Sequence, residues 1–233
     1  ILWPPAWHRI DQKRAEFFFK KGATALEAGD IREALFALGV AHNLAPRDYA
    51  TSALLARLYQ GTQPALSDQL YAQTLQRHPD HAAQTAQSWM RALLARGDFS
   101  LLQTLAFDRL MAGQENPAPW LHVLIFASRQ CHDTAPIAKL ATASAGEAWR
   151  PVLETELLWS QGKKDEVAQR LAQPGSGASP YIVRYQADLL LALDQPEAAD
   201  DRRRAVDRDG QAVGAGRVVA ADRPVQPAVV RRG

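Results

Sequence analysis

Residues 15–48, AEFFFKKGATALEAGDIREALFALGVAHNLAPRD, contain two apolar helical patterns separated by Gly29 and Asp30. Glycine readily adopts the left-handed conformation in which helices end. Asp30, with Glu33 three residues later, resembles the capping box that begins a second helix. An apolar stripe over 34–41 keeps helical spacing until a proline stops it. The stretch therefore predicts two helices joined by a tight turn.

The same signal recurs along the chain. Gly97-Asp98 lies 68 residues after Gly29-Asp30, which is two periods of 34, and Gly162-Lys163 and Asp194-Gln195 interrupt the chain at similar intervals. A repeat of this length predicts stacked helical hairpins, in which each hairpin covers the apolar face of its neighbour. The predicted units are 15–48, 49–81, 82–115, 116–145, 146–178 and 179–199.

The first unit resembles a tetratricopeptide repeat (TPR). In that family, large and small residues alternate at fixed positions of a helical hairpin, and here those positions hold Phe18, Gly22, Ala25, Ala34, Leu38, Ala41 and Pro46. The resemblance covers about 15–199. It implies an all-α, right-handed α-solenoid of about six stacked helix-turn-helix repeats. Small residues at Gly22, Ala34 and Ala41 would let neighbouring helices approach closely.

The resemblance also implies where a partner would bind. In this family the first helix of each repeat lines a concave groove, and a set of positions on that helix reads the partner. In this chain the candidate groove residues are Phe19, Arg57, Gln60, Gln87 and Arg91, together with neighbours such as Glu16, Ala50 and Leu94. Arg57 and Arg91 occupy equivalent positions one repeat apart and could bind carboxylates of an acidic segment.

The charge distribution argues against nucleic-acid binding. The whole chain has a formal charge of +2, but residues 200–233 carry 8 Arg and 5 Asp, so residues 1–199 have a net charge of −1. A nearly neutral body lacks the clustered basic face that phosphate binding requires.

Two clusters have the residue types of metal or catalytic sites. His78-Pro79-Asp80-His81 offers a pair of imidazoles, but no further ligands lie nearby in sequence. Cys131-His132-Asp133 pairs a thiol with a base, but it occupies the position of a Gly-Asp turn in other repeats. We therefore expect no metal, no cofactor and no catalytic residue, and the chain is not predicted to be an enzyme.

The two ends differ from the repeats. Residues 1–14 form an N-terminal lead-in. Trp3, Trp7 and the basic stretch that follows resemble the interfacial end of a membrane segment, so a tether could precede Ile1. The alternative is a disordered lead-in. Residues 200–233 contain no Leu, no Lys and no aromatic residue. One interpretation is a flexible tail, and the other is the product of a frame shift. The second is slightly favoured, because every residue type in the stretch has GC-rich codons. We expect poor order after about residue 205.

These observations predict a protein-interaction scaffold that binds a peptide or a partner protein in the concave groove. The partner could be acidic, and the alternative for Arg57 and Arg91 is that they are ordinary solvated side chains. The alternative is a membrane-tethered accessory subunit of an envelope, secretion or glycan-export assembly. The protein would accordingly be cytoplasmic, or membrane-anchored and facing the periplasm. The sequence does not specify an oligomeric state.

Overall fold

The computed structural model describes residues 5–113, 116–172, 180–195 and 197–199, and these residues form helices, turns and loops without a β-strand. The all-α, helical-repeat class predicted from the sequence is confirmed. None of the described helices is both long enough and apolar enough to cross a membrane.

The α-helices follow the predicted hairpin pattern. In chain order their bounds are α1 (Pro5–Glu27), α2 (Ile31–Leu44), α3 (Tyr49–Tyr59), α4 (Pro64–Arg77), α5 (Ala82–Arg96), α6 (Phe99–Met111), α7 (Ala118–Cys131), α8 (Ala135–Thr142), α9 (Arg150–Ser160), α10 (Lys164–Ala172) and α11 (Pro180–Ala192). Short 3₁₀ turns occur at Pro79–His81 and Ser144–Trp149. Each of the first five predicted units contains one consecutive pair of helices, and the sixth contains α11 followed by helical residues 197–199.

The helices group into two compact units, one extending to Glu147 and the other beginning at Ala148. In the first unit, α1 packs on α2, α3 on α4 and α6 on α7. In the second unit, α9, α10 and α11 pack together, and their core includes Val167, Leu171, Ala187 and Leu190. The sequence predicted one continuous solenoid, and a common right-handed axis for all six repeats stays a prediction.

The turns between helices have the predicted geometry. Gly29 and Gly97 adopt the left-handed conformation, with φ of 78° and 73°. The Asp30 carboxylate accepts a hydrogen bond from the Glu33 backbone N–H at 3.0 Å. His132 occupies the corresponding place between α7 and α8 with φ of 51°. Cys131-His132-Asp133 is thus a helix-turn-helix joint, as its position in the repeat predicted.

The small residues predicted to allow close helix approach lie at the contact between α1 and α2. Gly22 is buried, and a Cβ placed on it would lie 2.6 Å from Leu38 Cγ. Leu38, Ala34, Ala37 and Ala41 are fully buried. Since Leu38 is enclosed, it has little room to move away from a larger residue.

The first helix differs from the predicted start of the repeat. α1 begins at Pro5 rather than near residue 15, and it continues unbroken to Glu27. Residues 5–14 are therefore helical and extend the first helix of unit one. The described residues do not include Trp3, the connector over 173–177 or the tail over 200–233. The poor order predicted after about residue 205 also concerns residues outside the described ranges.

His42, near the end of α2, lies in a partly buried polar contact with α3. Its Nδ1 is 3.2 Å from Ser52 Oγ, and the Ser52 hydroxyl donates to the Asp48 carbonyl at 2.8 Å. Burial lowers the pKa of His42 from its ordinary value of 6.5, the positive charge of Arg77 lowers it further, and Asp48 partly opposes both effects. His42 is therefore held neutral in the folded state at neutral pH.

We predict that Gly22→Ala destabilises the protein, whereas Gly39→Ala stabilises it. The added methyl at Gly22 meets Leu38, and overpacking costs about 1–3 kcal/mol, more than the gain of about 0.5–1 kcal/mol from replacing a helical glycine. Gly39 lies within α2 with no atom within 4 Å of an added Cβ, so only the gain remains. Urea unfolding measures both changes, and equal shifts of the same sign would contradict the close contact.

We predict that acidification removes stability through His42. Because its folded pKa lies below the unfolded value, the unfolded state takes up the proton first, so this contribution is intact above pH 6.5 and is lost as the pH falls through the folded pKa. Because at most one proton is taken up, the free energy of unfolding changes by at most about 1.4 kcal/mol per pH unit. Urea unfolding of wild type and His42→Gln from pH 7.5 downward, with about half-unit steps, should give a shallower pH dependence for the variant. Identical slopes would contradict this role.

Candidate interaction surface

A cleft of about 850 Å³ opens in the first compact unit. It lies beside α1, the start of α3 and the connection between α2 and α3. Its lining residues are Gln12, Ala15, Glu16, Phe19, Lys20, Leu44, Ala45, Pro46, Arg47, Asp48, Ala50 and Thr51. A cavity of this size is within the range of ligand pockets in proteins.

Local hydrogen bonds fix the connection that forms one wall of the cleft. The Ala45 N–H donates to the Ala41 carbonyl at 2.9 Å and closes α2, and the Asp48 N–H donates to the Ala45 carbonyl at 3.0 Å. Arg77 on α4 donates through Nη1 to the Pro46 carbonyl at 3.1 Å. The wall is therefore held both by its own backbone and by the following hairpin, so little ordering is needed when a ligand binds.

The cleft combines apolar side chains with charged ones. Ala15, Phe19, Leu44 and Pro46 provide apolar surface, and Lys20 and Arg47 provide positive charge. The two carboxylates are not equivalent. Asp48 caps α3 by accepting from the Thr51 N–H at 2.8 Å and from the Thr51 hydroxyl.

Because Asp48 is already hydrogen-bonded, Glu16 is the lining carboxylate that stays available for a ligand. The two cations Lys20 and Arg47 make no ion pair within the described part of the chain. A ligand with an apolar group beside a negative charge would match this lining.

Three of the positions that the sequence assigned to the groove meet in this cleft. Glu16 and Phe19 belong to the first predicted repeat and Ala50 to the second, and all three line the cleft. Phe19 is partly buried, so its ring contributes to the wall and still reaches the open space. These three residues line one cleft, and their role in binding a partner stays a prediction. The sequence indicated nothing of the wall over 44–48.

The other candidate groove residues lie along α3 and α5. Arg57, Gln87 and Arg91 are exposed, and neither arginine makes an ion pair within the described residues. The Gln60 side chain is held by a hydrogen bond, because its Nε2 donates to the Tyr71 hydroxyl at 2.6 Å. A role of these four residues in binding stays a prediction, and Gln60 is more constrained than the sequence indicated.

A polar and aromatic network that the sequence analysis missed links α4 to α5. The Tyr71 ring stacks on Trp89 with centroids 6.1 Å apart. Trp89 donates from Nε1 to Asp68 at 2.8 Å, and Arg96 donates to the other oxygen of Asp68 at 2.7 Å. Asp68 and Arg96 are 28 residues apart, so no short-range pattern connects them. The network fixes α5, the helix that carries Gln87 and Arg91.

The two histidines of the predicted metal-like cluster pack around an aromatic ring. Tyr49 stacks on His81 at 3.9 Å and meets His78 edge-on at 5.6 Å. Among the described residues, no three His, Cys, Asp or Glu side chains are grouped as metal ligands. The contacts made by these imidazoles join the start of α3 to the end of α4.

The surroundings of Cys131 disfavour its thiolate form. Burial raises the pKa of its thiol, and the negative charges of Asp133 and Asp98 raise it further. Thiolate chemistry requires a lowered pKa and a positive environment, so the environment of this thiol opposes such a role.

Comparisons with known proteins identify no family for this chain. No protein-family model matches it, and no curated protein matches it. The chain is similar to a solved structure described as "Functional Characterization of Pseudomonas Aeruginosa pilF", with 18% sequence identity, a TM-score of 0.37, and coverage of 85% of this chain and 92% of that chain. A likeness at that TM-score supports no argument about function.

Proposed function

We propose that the protein is an interaction scaffold that binds a peptide segment of a partner protein along the first helices of its repeats. The observation that carries this proposal is the cleft of about 850 Å³ at Glu16, Phe19 and Ala50, three positions that the repeat pattern assigned to a groove. The side chains there can bind and orient a ligand. The raised pKa of Cys131 gives no support to covalent chemistry.

The lining favours an apolar side chain followed by a carboxylate. Phe19, Leu44 and Pro46 would contact the apolar group, and burying such a group provides most of the affinity in peptide recognition. Lys20 and Arg47 would bind the carboxylate. Glu16 would disfavour a second acidic group beside it, which gives the site selectivity as well as affinity.

Arg57 and Arg91 extend the positive surface beyond the cleft. Each is exposed, and the two arginines are 34 residues apart, which is one repeat period. Arginine binds carboxylates through two parallel hydrogen bonds, so two arginines one repeat apart suit two acidic residues of an extended peptide. The proposed peptide is therefore anchored at the cleft and continues towards α5.

Selection of peptides from a random display library tests this proposal with no partner chosen in advance. We expect the wild-type protein to enrich sequences with a large apolar residue next to Asp or Glu, which the cleft binds, and with two further acidic residues, which Arg57 and Arg91 bind. Arg57→Glu combined with Arg91→Glu should weaken the selected peptides at least about tenfold, because each carboxylate then meets a like charge. Fluorescence anisotropy measures the affinities.

Matched controls separate binding from folding. Arg32→Glu combined with Lys139→Glu makes the same change in net charge at exposed positions outside the groove, and it should leave the affinity within about twofold. Circular dichroism should report unchanged helicity for both double variants. If peptides are selected but bind the groove variant and the control equally well, the proposed groove is wrong.

A further inference from the structure

α1 has a second surface that shares only Lys20 with the cleft and points away from the hairpin core. With 100° between successive helical residues, seven residues within 10–24 share this outer side of the helix. They are Ile10, Lys13, Arg14, Phe17, Lys20, Lys21 and Thr24, and every one of them is exposed. The opposite side of α1 contains Ala15 and Gly22, which are buried against the hairpin.

The outer face combines two protruding apolar side chains with four cations and no carboxylate. Phe17 is 63% exposed and Ile10 is 49% exposed, one above the other at a spacing of seven residues. Lys13 and Lys20 flank them on one side, and Arg14 and Lys21 flank them on the other. An apolar patch that polar residues border marks a contact site more often than a single exposed apolar side chain does.

Intramolecular ion pairs engage two of the four cations on this face and leave the other two available. Lys21 pairs with Glu33 at 2.6 Å, and Arg14 is 3.9 Å from Asp11. Lys13 and Lys20 make no ion pair within the described part of the chain. The bordering carboxylates on α1, Glu16 and Glu27, lie at the edge of this face rather than within it. The face thus presents a positive frame around an apolar stripe.

We infer that this outer face of α1 docks on the surface of an anionic lipid bilayer. Amphipathic surfaces of this composition bind at the headgroup level, where aromatic rings enter the interface and Lys and Arg interact with lipid phosphates. The inference goes beyond the proposed peptide binding, because it uses the side of α1 opposite to the packed core and a different class of ligand.

The shape of the face favours a bilayer over an acidic protein. A helix face with a protruding Phe17 is convex, and a protein partner would need a matching groove lined with carboxylates. Lipid headgroups can separate around a protruding ring and supply negative charge in any direction. The four cations lie on both sides of the apolar stripe, as docking parallel to a plane requires.

Flotation with vesicles tests the inference on the full chain. We expect binding to vesicles of phosphatidylcholine with equimolar phosphatidylglycerol and no binding to phosphatidylcholine alone. Lys13→Gln combined with Arg14→Gln should reduce the partition coefficient about thirtyfold, at about fivefold for each cation removed. Phe17→Ala should reduce it about tenfold.

Two control variants make the same chemical changes at positions outside the outer face of α1. Lys139→Gln combined with Lys164→Gln removes two exposed cations from other helices, and Phe36→Ala truncates a ring on α2 that is 60% exposed. Both should bind vesicles within about twofold of wild type. None of these variants changes a residue that lines the cleft, so peptide affinity should be unaffected in all of them.

Three results would overturn the inference. The first is no binding of the wild-type protein to anionic vesicles. The second is equal loss of binding in the α1 variants and their controls, which would indicate a non-specific charge effect. The third is unchanged binding of Phe17→Ala together with full competition by soluble polyglutamate, which would assign the face to acidic polypeptides instead.

Discussion

The close packing of α1 on α2 is the constraint on which both proposed surfaces depend. Gly22 of α1 lies directly against Leu38, and the fully buried Ala34, Ala37 and Ala41 keep α2 narrow along its packed side. This packing fixes the rotation of α1 about its own axis. It therefore determines that Phe19 turns towards the cleft while Phe17 turns towards solvent. The exposed pair of Lys21 and Glu33 also joins the two helices, but exposed pairs contribute little to stability.

A different kind of interaction fixes the next hairpins. Asp68 accepts hydrogen bonds from Trp89 and Arg96, and Tyr71 stacks on Trp89 while it accepts a hydrogen bond from Gln60. The two hydrogen bonds to Asp68 are partly buried and charge-assisted, so they are stronger than hydrogen bonds between neutral groups. They connect α3, α4 and α5 through side chains rather than through the chain path. Steric fit therefore determines how the two helices of the first repeat pack, and a polar network joins the helices of the second repeat to α5 of the third.

The sequence predicted the features that local rules control. Gly29-Asp30 and Gly97-Asp98 marked helix boundaries correctly because a left-handed glycine and an aspartate cap act within a few residues. The repeat period also placed Phe19 on the face that lines the cleft, and its role in binding a partner stays a prediction. The network at Asp68 was missed because its members are 21 and 28 residues apart and follow no periodicity. The extension of α1 to Pro5 was also missed, since the repeat pattern covers only 15–48. The division of the helices at Glu147 had no counterpart in the sequence beyond the irregular repeats around it.

We propose that a partner peptide lies in the cleft beside α1. Site-specific photo-crosslinking tests it most directly, with benzoylphenylalanine placed at Phe19 in one variant and at Phe36 in another, each incubated with a peptide selected on the wild-type protein. A peptide held in the cleft should crosslink from position 19, as identified by mass spectrometry, and not from position 36, because Phe36 is exposed on α2 and does not line the cleft. Equal crosslinking from both positions, or crosslinking from position 36 alone, would contradict it.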